Sequence, residues 1–337
     1  MNLDQRRTAT TGERTMKAIF RDRYGETDVL QYGDIERPTF SDDEVLLRVR
    51  AAGIDRGVWH LMTGLAYPVR LAYGLRRPKN RVPGMDGAGV VEAVGKNVSR
   101  FKPGDEVFGI GRGTFAEYAP ALEKKLVHKP DNLTFDQAAV VSISGLAALR
   151  AVRDQAHVQS GQKVLVIGAS GGVGTYAVQI AKAFGAEVTG VASTTKLDVV
   201  RSIGADDVID YTRDDFVDGA RQWDVVVDIA GNRRVSQLRR ALTAKGTLVI
   251  VGGEGGGKWF GGMGRSIGAA LLSPFVRQSL RMQTPKEWLE GIETLKGFAE
   301  AGRIVPVIER SYALNEVPDA IKHLEDGNAR GKLVISV

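Results

Sequence analysis

No cysteine occurs in the 337 residues, which excludes disulfide bridges, thiolate zinc sites and a cysteine nucleophile together. Histidine is scarce as well, with four in the chain, and His128, His157 and His323 stand in no pattern that marks a catalytic or metal-binding set. Long apolar runs are missing. The longest strongly apolar stretch without a charge, Ser266 to Val276, falls well short of the ~20 residues that span a bilayer. Met1 to Thr15 are polar and lack the apolar centre of a signal peptide, so they read as a disordered extension and the chain as cytoplasmic.

Charge of neither sign is concentrated. The formal charge is +6 with a pI near 9.4, but Lys and Arg are scattered apart from pairs such as Arg76-Arg77 and Arg239-Arg240. No aromatic-basic platform for nucleic acid is present, and a protein handling a phosphate-rich ligand tolerates positive charge. With 43% hydrophobic and 26% charged residues, the chain has the composition of a globular protein large enough for two domains.

What is abundant is glycine, and its placement carries the most information. Lys163 to Ile167 is an apolar strand that runs into Gly168-Ala169-Ser170-Gly171-Gly172-Val173-Gly174 and then into a helix, Val173 to Phe184. Ala177, Ile180, Ala181 and Phe184 share one face of that helix and Gly185 stops it. Gly171 and Gly174 let the backbone approach a pyrophosphate and let the helix pack on the strand, while the helix N-terminus offers N–H groups to the anion. Ala169 stands where the strict fingerprint places its first glycine, but strand, turn and helix are all present, and together they mark a dinucleotide site.

Around this site the texture divides. From Met16-Lys17-Ala18-Ile19-Phe20 to about Leu126, short β runs such as 44–51 alternate with tight turns, among them 82–95 and 103–109, the rhythm of a β-barrel. Beyond Asp131, helix and strand alternate: helix 135–153, strand 163–168, helix 173–184, strand 187–193, helix 195–203, strands 207–211 and 223–229, helix 233–242 and strand 246–252. That order specifies a doubly wound parallel sheet whose continuous β-branched strands are covered on both faces. A helix over about 285–301 follows the apolar segment 266–276, and β signals return at 304–308 and 332–337. The expected division is 16–131 with 302–337 as one domain and 132–301 as the nucleotide-binding domain.

The motifs Ala51-Ala52-Gly53-Ile54-Asp55, Pro83-Gly84-Met85-Asp86-Gly87-Ala88-Gly89, Lys102-Pro103-Gly104-Asp105-Glu106-Val107, the glycine turn, and Ile203-Gly204-Ala205-Asp206 with Tyr211 resemble the medium-chain dehydrogenase/reductase superfamily from Met16 to Val337. The resemblance implies an α/β protein with a GroES-like β-barrel catalytic domain and a Rossmann nucleotide-binding domain. It also implies a homodimer joined edge to edge through nucleotide-domain sheets, with 277–282 at the interface.

The zinc-dependent members of that superfamily carry a Cys near the position of Asp55, a His-Glu pair where Met85-Asp86 stands, and a second Cys close to Ser142 to Ser144. A catalytic zinc keeps three protein ligands, usually His and Cys, and this chain offers only carboxylates there. It therefore resembles the zinc-independent quinone oxidoreductase branch, with its enone and enoyl reductases. Dinucleotide-dependent RNA-binding or structural relatives, and a zinc alcohol or aldehyde dehydrogenase with unusual ligands, are the alternatives.

Beyond the second nucleotide-domain strand, where Asp or Glu would receive a ribose 2′-OH, stand Ser193-Thr194-Thr195-Lys196. Hydroxyls and an ammonium without a carboxylate suit a 2′-phosphate, so NADPH is the expected cofactor; a helix cap at Ser193 or Thr194 with a solvated Lys196 is the plainer alternative. In the resembled reductases Ser193, Lys196 and Tyr211 match the 2′-phosphate site. The cofactor-binding set is then Ala169, Ser170, Gly171, Gly172, Val173, Gly174, Ser193, Thr194, Lys196, Tyr211 and Gly252. Without a Lewis acid, hydride transfer favours acceptors already electrophilic, such as quinones and α,β-unsaturated carbonyls.

Asp55 and Asp86 either orient substrate or satisfy backbone N–H groups in turns. Tyr67 is a candidate donor to the acceptor oxygen, or else a packing aromatic. Trp59, Met62 and Tyr67 are candidates for an apolar pocket wall, and His60 reads as a surface or satisfied histidine.

Overall fold

The computed structural model describes residues 15–65, 67–253, 263–282, 288–327 and 329–337. The expected extension falls on residues 1–14, outside the described residues, and Thr15 already belongs to the first strand. The chain divides into two compact units: residues 1–143, 287–300 and 308–337 in one, 144–286 and 301–307 in the other.

In the first unit, β1 (Thr15–Phe20) pairs antiparallel with β2 (Gln31–Glu36). Five further strands form most of a larger sheet: β3 (Glu44–Ile54), β4 (Asp86–Val94), β5 (Glu106–Ile110), β6 (Tyr118–Leu122) and β7 (Leu126–His128). The organising strand is β3, which pairs with β4 on one side and β6 on its first half. A register shift between Val49 and Ala51 changes which residues face inward, because strand side chains alternate with a period of two. Val49, Ala52 and Ile54 thereby all enter one apolar cluster with Ile19, Met62, Phe115 and Ile335. Val45 and Leu47 enter another with Val91, Phe101 and Val107.

The second unit is built on a six-stranded parallel sheet. Its strands are β8 (Lys163–Ile167), β9 (Glu187–Ala192), β10 (Asp207–Asp210), β11 (Trp223–Asp228), β12 (Leu242–Ile250) and β13 (Ser279–Met282). They lie in the order β10-β9-β8-β11-β12-β13, so the direction of winding reverses between β8 and β11. That switch point is where doubly wound sheets bind ligands, beyond the carboxyl ends of the strands. Val164, Leu165 and Val166 are fully buried, which explains the unbroken apolar run read in the sequence.

The chain returns to the first unit through the helix Trp288–Glu300 and closes with β14 (Ile308–Ala313) and β15 (Lys332–Ser336). β15 pairs antiparallel with β3 and completes the sheet β14-β15-β3-β4-β5-β7. The helix Trp288–Glu300 was expected in the nucleotide-binding part but lies with the first unit. Asn132 Nδ2 donates to Ala299 O at 2.9 Å, Arg100 pairs with Glu293 at 2.7 Å, and Lys125 Nζ stands 5.0 Å from the Trp288 ring centroid. Residues 301–307 fall instead with the second unit, tied there by Gln179, which exchanges hydrogen bonds with Val305 at 2.7 and 3.1 Å.

The single helix expected over 135–153 is three pieces, Phe135–Ala138, Ser142–Leu149 and the wider-turn Arg150–Gln155. Thr134 and Gln137 close a reciprocal cap on the first. The break has a physical cause: the Ile143 N–H donates to Asp86 Oδ1 at 2.8 Å, so a carboxylate from β4 satisfies an amide at the start of the second piece.

Candidate active site and nucleotide-binding turn

The glycine turn is built by three glycines spaced three apart. Gly168 follows β8 in the left-handed region at φ +84°, and a Cβ there would meet Ala230 N at 3.2 Å. The strict fingerprint's first glycine falls at Ala169; the tight turn is made one residue earlier, by Gly168, which stands in the glycine run but outside the expected cofactor-binding set. The 168/171/174 spacing was the available signal. Ala169 is fully buried, and the N–H groups of Gly168 and Ala169 both donate to Val191 O, at 3.2 and 3.1 Å.

Gly171 precedes the helix Gly172–Ala183 in extended conformation. A Cβ at Gly171 would find only Gly168 O, at 3.5 Å, so the space above its backbone is open for a ligand to approach. At Gly174 a Cβ would lie 2.1 Å from Gly168 O, so that glycine serves close helix–strand packing. The helix begins at Gly172 beside Ser170 and Val173, and its first-turn N–H groups, which have no intrahelical acceptor, face this turn. The cradle fits a pyrophosphate. Gly252, after β12, is also a close-approach residue, since a Cβ there would fall 1.9 Å from Ile229 O.

At the carboxyl end of β9, Tyr211 N donates to Ala192 O at 3.2 Å and Lys196 N to Ser193 O at 2.9 Å. The structure thus gathers Ser193, Thr194, Lys196 and Tyr211 at one end of the sheet, with Tyr211 48% exposed. Thr194 is held differently from the sequence reading, because its hydroxyl donates to Asp210 at the end of β10. Its only proton is thereby committed. Nothing in the local sequence signalled this contact.

Near the other side of the switch point, Asp228 at the end of β11 is fully buried, pairs with Arg265 and accepts from Gly231 N at 3.2 Å. Burial raises its carboxyl above the usual range, with Arg265 opposing the rise.

In the first unit, Asp55 caps the helix Arg56–Thr63, accepting from Gly57 N at 2.7 Å and Val58 N at 3.3 Å. This is the turn-satisfying role that Asp performs well, and it leaves Oδ2 buried without a partner. Asp86 opens β4 opposite Gly53 in the register. It is fully buried, with Oδ1 on Ile143 N and Oδ2 without a partner. Burial pushes its carboxyl up to about 8; Lys332 pulls in the opposite direction and Asp55 adds to the rise. Lys332 itself is 2% exposed.

Ser142 Oγ and Thr114 Oγ1 are likewise buried without partners. Among the described residues no group of three or more His, Cys, Asp and Glu could hold a metal ion. Two carboxylates beside a buried ammonium are a donor set poorly matched to zinc.

The remaining candidates separate. Met62 is fully buried in the core cluster. Trp59 packs against the same cluster with His60 edge-on at 5.0 Å. Tyr67 is half-buried with the Arg70 guanidinium 4.9 Å from its ring centroid, and Arg70 also donates to Gly64 O at 2.9 Å. The apolar segment 266–276 is mostly the helix Met263–Leu272, on which Ile267, Leu271 and the following Phe275 are exposed. No helix among the described residues is long and apolar enough to cross a membrane.

Comparison with known proteins agrees with this architecture. Residues 41–131 match the alcohol dehydrogenase GroES-like domain and residues 203–335 match the zinc-binding dehydrogenase model. The chain is 31% identical over 336 residues to a quinone oxidoreductase of Homo sapiens, covering 96% of this chain and 99% of that protein. It is 32% identical over 341 residues to a 2-methylene-furan-3-one reductase of Solanum lycopersicum, covering 95% and 79% respectively. A solved quinone oxidoreductase from Coxiella burnetii superposes with a TM-score of 0.84 at 27% identity, over 96% of this chain and 99% of that one. A GroES-like sheet, a 3-2-1-4-5-6 parallel sheet with its glycine turn, and these full-length similarities place the chain in the medium-chain dehydrogenase/reductase superfamily, among its quinone oxidoreductase-like members.

Proposed function

We propose that this chain is an NADPH-dependent oxidoreductase that delivers hydride to a quinone or an α,β-unsaturated carbonyl without zinc. The observation that carries the reading is the chemistry at the two places where this family varies. At the end of β9, Ser193, Lys196 and Tyr211 gather with no carboxylate on that strand end. In the first unit, the positions of zinc ligands in metal-dependent members hold Asp55, occupied in capping a helix, and Asp86, buried beside Lys332.

The turn at Gly168, Gly171 and Gly174 and the helix N-terminus behind it would hold the pyrophosphate. Lys196 would bind the 2′-phosphate as a point charge, with Ser193 and Tyr211 donating hydroxyl hydrogen bonds. NADPH supplies the hydride. The chain's own contribution is orientation of the acceptor and exclusion of water, and neither carboxyl group polarises a carbonyl oxygen as a metal ion would. The acceptor must then be electrophilic by itself, which quinones and enones are and simple ketones are not.

Support from relatives runs the same way, since the human protein is named a quinone oxidoreductase and the tomato protein reduces a conjugated furanone by its name. The same reading takes the chain as a homodimer joined at the edge strand β13, next to the exposed Leu271 and Phe275.

The test is an acceptor panel at neutral pH with NADPH and NADH, alongside alcohol oxidation and metal analysis. Catalytic efficiency should be highest for a quinone or enone with NADPH, and activity should survive chelation in protein holding far less than one zinc per chain. Faster oxidation of a simple alcohol than reduction of any quinone or enone, or loss of activity with loss of one zinc, would sink the proposal.

A further inference from the structure

The end of β10 carries a charge that the 2′-phosphate reading does not absorb. Asp210 is 7% exposed. Its Oδ2 accepts the Thr194 hydroxyl, and its Oδ1 accepts the Thr212 hydroxyl at 2.7 Å and the Thr212 N–H at 3.0 Å. The two threonine oxygens lie 3.1 Å apart. Those hydrogen bonds hold the Asp210 carboxyl below the usual range, so it is ionised at neutral pH. Arg213 pairs loosely with it, Nε 3.8 Å from Oδ2 and its side chain 75% exposed.

A threonine hydroxyl has one proton and two lone pairs. Both protons are given to Asp210, so the exposed Thr194 and Thr212 present lone pairs outward. A phosphate oxygen needs donors and gains nothing from lone pairs backed by a carboxylate. A ribose 2′-OH has a proton to give and gains a hydrogen bond.

We propose that Asp210 is a specificity-determining positioning residue: by orienting Thr194 and Thr212 as acceptors beside the Ser193–Lys196 turn, it restrains the preference for a phosphorylated ribose and preserves affinity for the unphosphorylated one. This rests on the reading of that turn as the ribose site. Lys196 and Arg213 pull toward phosphate and Asp210 pulls against it, so cofactor choice is the balance of these groups rather than the absence of an acid on β9 alone.

The test uses the full chain and two adenine-half probes, 2′,5′-ADP and 5′-AMP, with affinities from calorimetry. Asp210→Asn keeps an acceptor for the Thr212 N–H, removes one negative charge and frees a threonine proton. It should tighten 2′,5′-ADP by at least about threefold, the size of one unit-charge repulsion at ~6 Å even with the dielectric of bulk water, and leave 5′-AMP equal or weaker. Thr194→Val, which keeps the charge, should weaken 5′-AMP by about threefold and hold 2′,5′-ADP within about twofold, since the lost hydroxyl donated nothing to phosphate.

Loss of both affinities in parallel in Asp210→Asn, no change in either, or selective loss of 2′,5′-ADP in Thr194→Val would overturn the inference. If the unaltered protein favours 5′-AMP but Asp210→Asn shifts it toward 2′,5′-ADP, the NADPH reading fails and this one stands. Binding of neither probe to the unaltered protein overturns both.

Discussion

Gly174→Ala is the sharpest perturbation available, because the obstacle to even one methyl group is backbone. A Cβ at 174 would stand 2.1 Å from Gly168 O and 2.8 Å from the Ala169 carbonyl carbon and Cα. No side chain can rotate away, so the start of the helix Gly172–Ala183 must move off β8. Restoring an ordinary separation requires a shift of about 1 Å, and forced repacking of that kind costs ~1–3 kcal/mol. For a unit of this size that lowers the melting temperature by roughly 3–10 °C. The same shift displaces the helix N-terminal amides, so NADPH affinity should fall at least about tenfold.

Gly171→Ala is the matched control. Its methyl would meet only Gly168 O at 3.5 Å, an ordinary contact, and its backbone is extended with negative φ, so the fold should tolerate it. Thermal melts should therefore distinguish the two variants, while fluorescence titration with NADPH should show weakened binding in both, at 171 because the methyl occupies the pyrophosphate approach. Native melting and native NADPH affinity in Gly174→Ala would refute the packing argument, and a melt as depressed at 171 as at 174 would refute the division of roles.

Lys196→Ala should raise the KM for NADPH by about tenfold while leaving NADH nearly unchanged, because NADH lacks the 2′-phosphate that the ammonium would contact; equal losses for both cofactors would assign Lys196 another role. Asp86→Asn probes the buried carboxyl, whose folded pKa is pushed up to about 8 from 3.8. The folded protein then binds more protons than the unfolded chain between those values, so this group's contribution to stability falls as pH rises through that window and levels off above it. The stability of the unaltered protein minus that of Asp86→Asn should decline from pH 5 to pH 8 in denaturant melts, and a flat difference would show Asp86 ionised throughout.

Local pattern made much of this fold legible. The run 163–167 reads as a buried strand because Val164, Leu165 and Val166 face apolar neighbours on both sides, and the glycine turn is visible because its requirements are steric and act within seven residues. Even so, attention to a fixed fingerprint put the departure at Ala169 when Gly168 makes the turn. What stayed hidden was set by contacts distant in sequence. The helix expected over 135–153 breaks where Asp86, 57 residues earlier, takes the Ile143 N–H.

The same holds for the ligand-binding end. The local sequence offers Thr194 as a phosphate donor, but Asp210, 16 residues on, takes its proton. The placement of the helix Trp288–Glu300 depends on Asn132 and Arg100, which no periodicity within the helix encodes. For Asp55 the turn-satisfying alternative describes the two amides from which it accepts, those of Gly57 and Val58, a contact within three residues that local sequence can carry.

The two carboxylates of the first unit show how buried acids find partners within the chain itself. A carboxyl group out of water must find a cation, hydrogen-bond donors or a proton, or its desolvation is uncompensated. Asp55 finds the amides of Gly57 and Val58. Asp86 finds the amide of Ile143, with Lys332 favouring its ionised form and burial and Asp55 favouring its protonated one. Each solution uses groups of the chain itself and leaves one buried oxygen without a partner. On the proposed reading, a divalent cation entering here would have to displace the proton or crowd the ammonium, while gaining neither a histidine nor a thiolate. On that same reading the first unit shapes and orients an acceptor, and the polarisation that a Lewis acid would supply comes from the acceptor's own conjugated carbonyl.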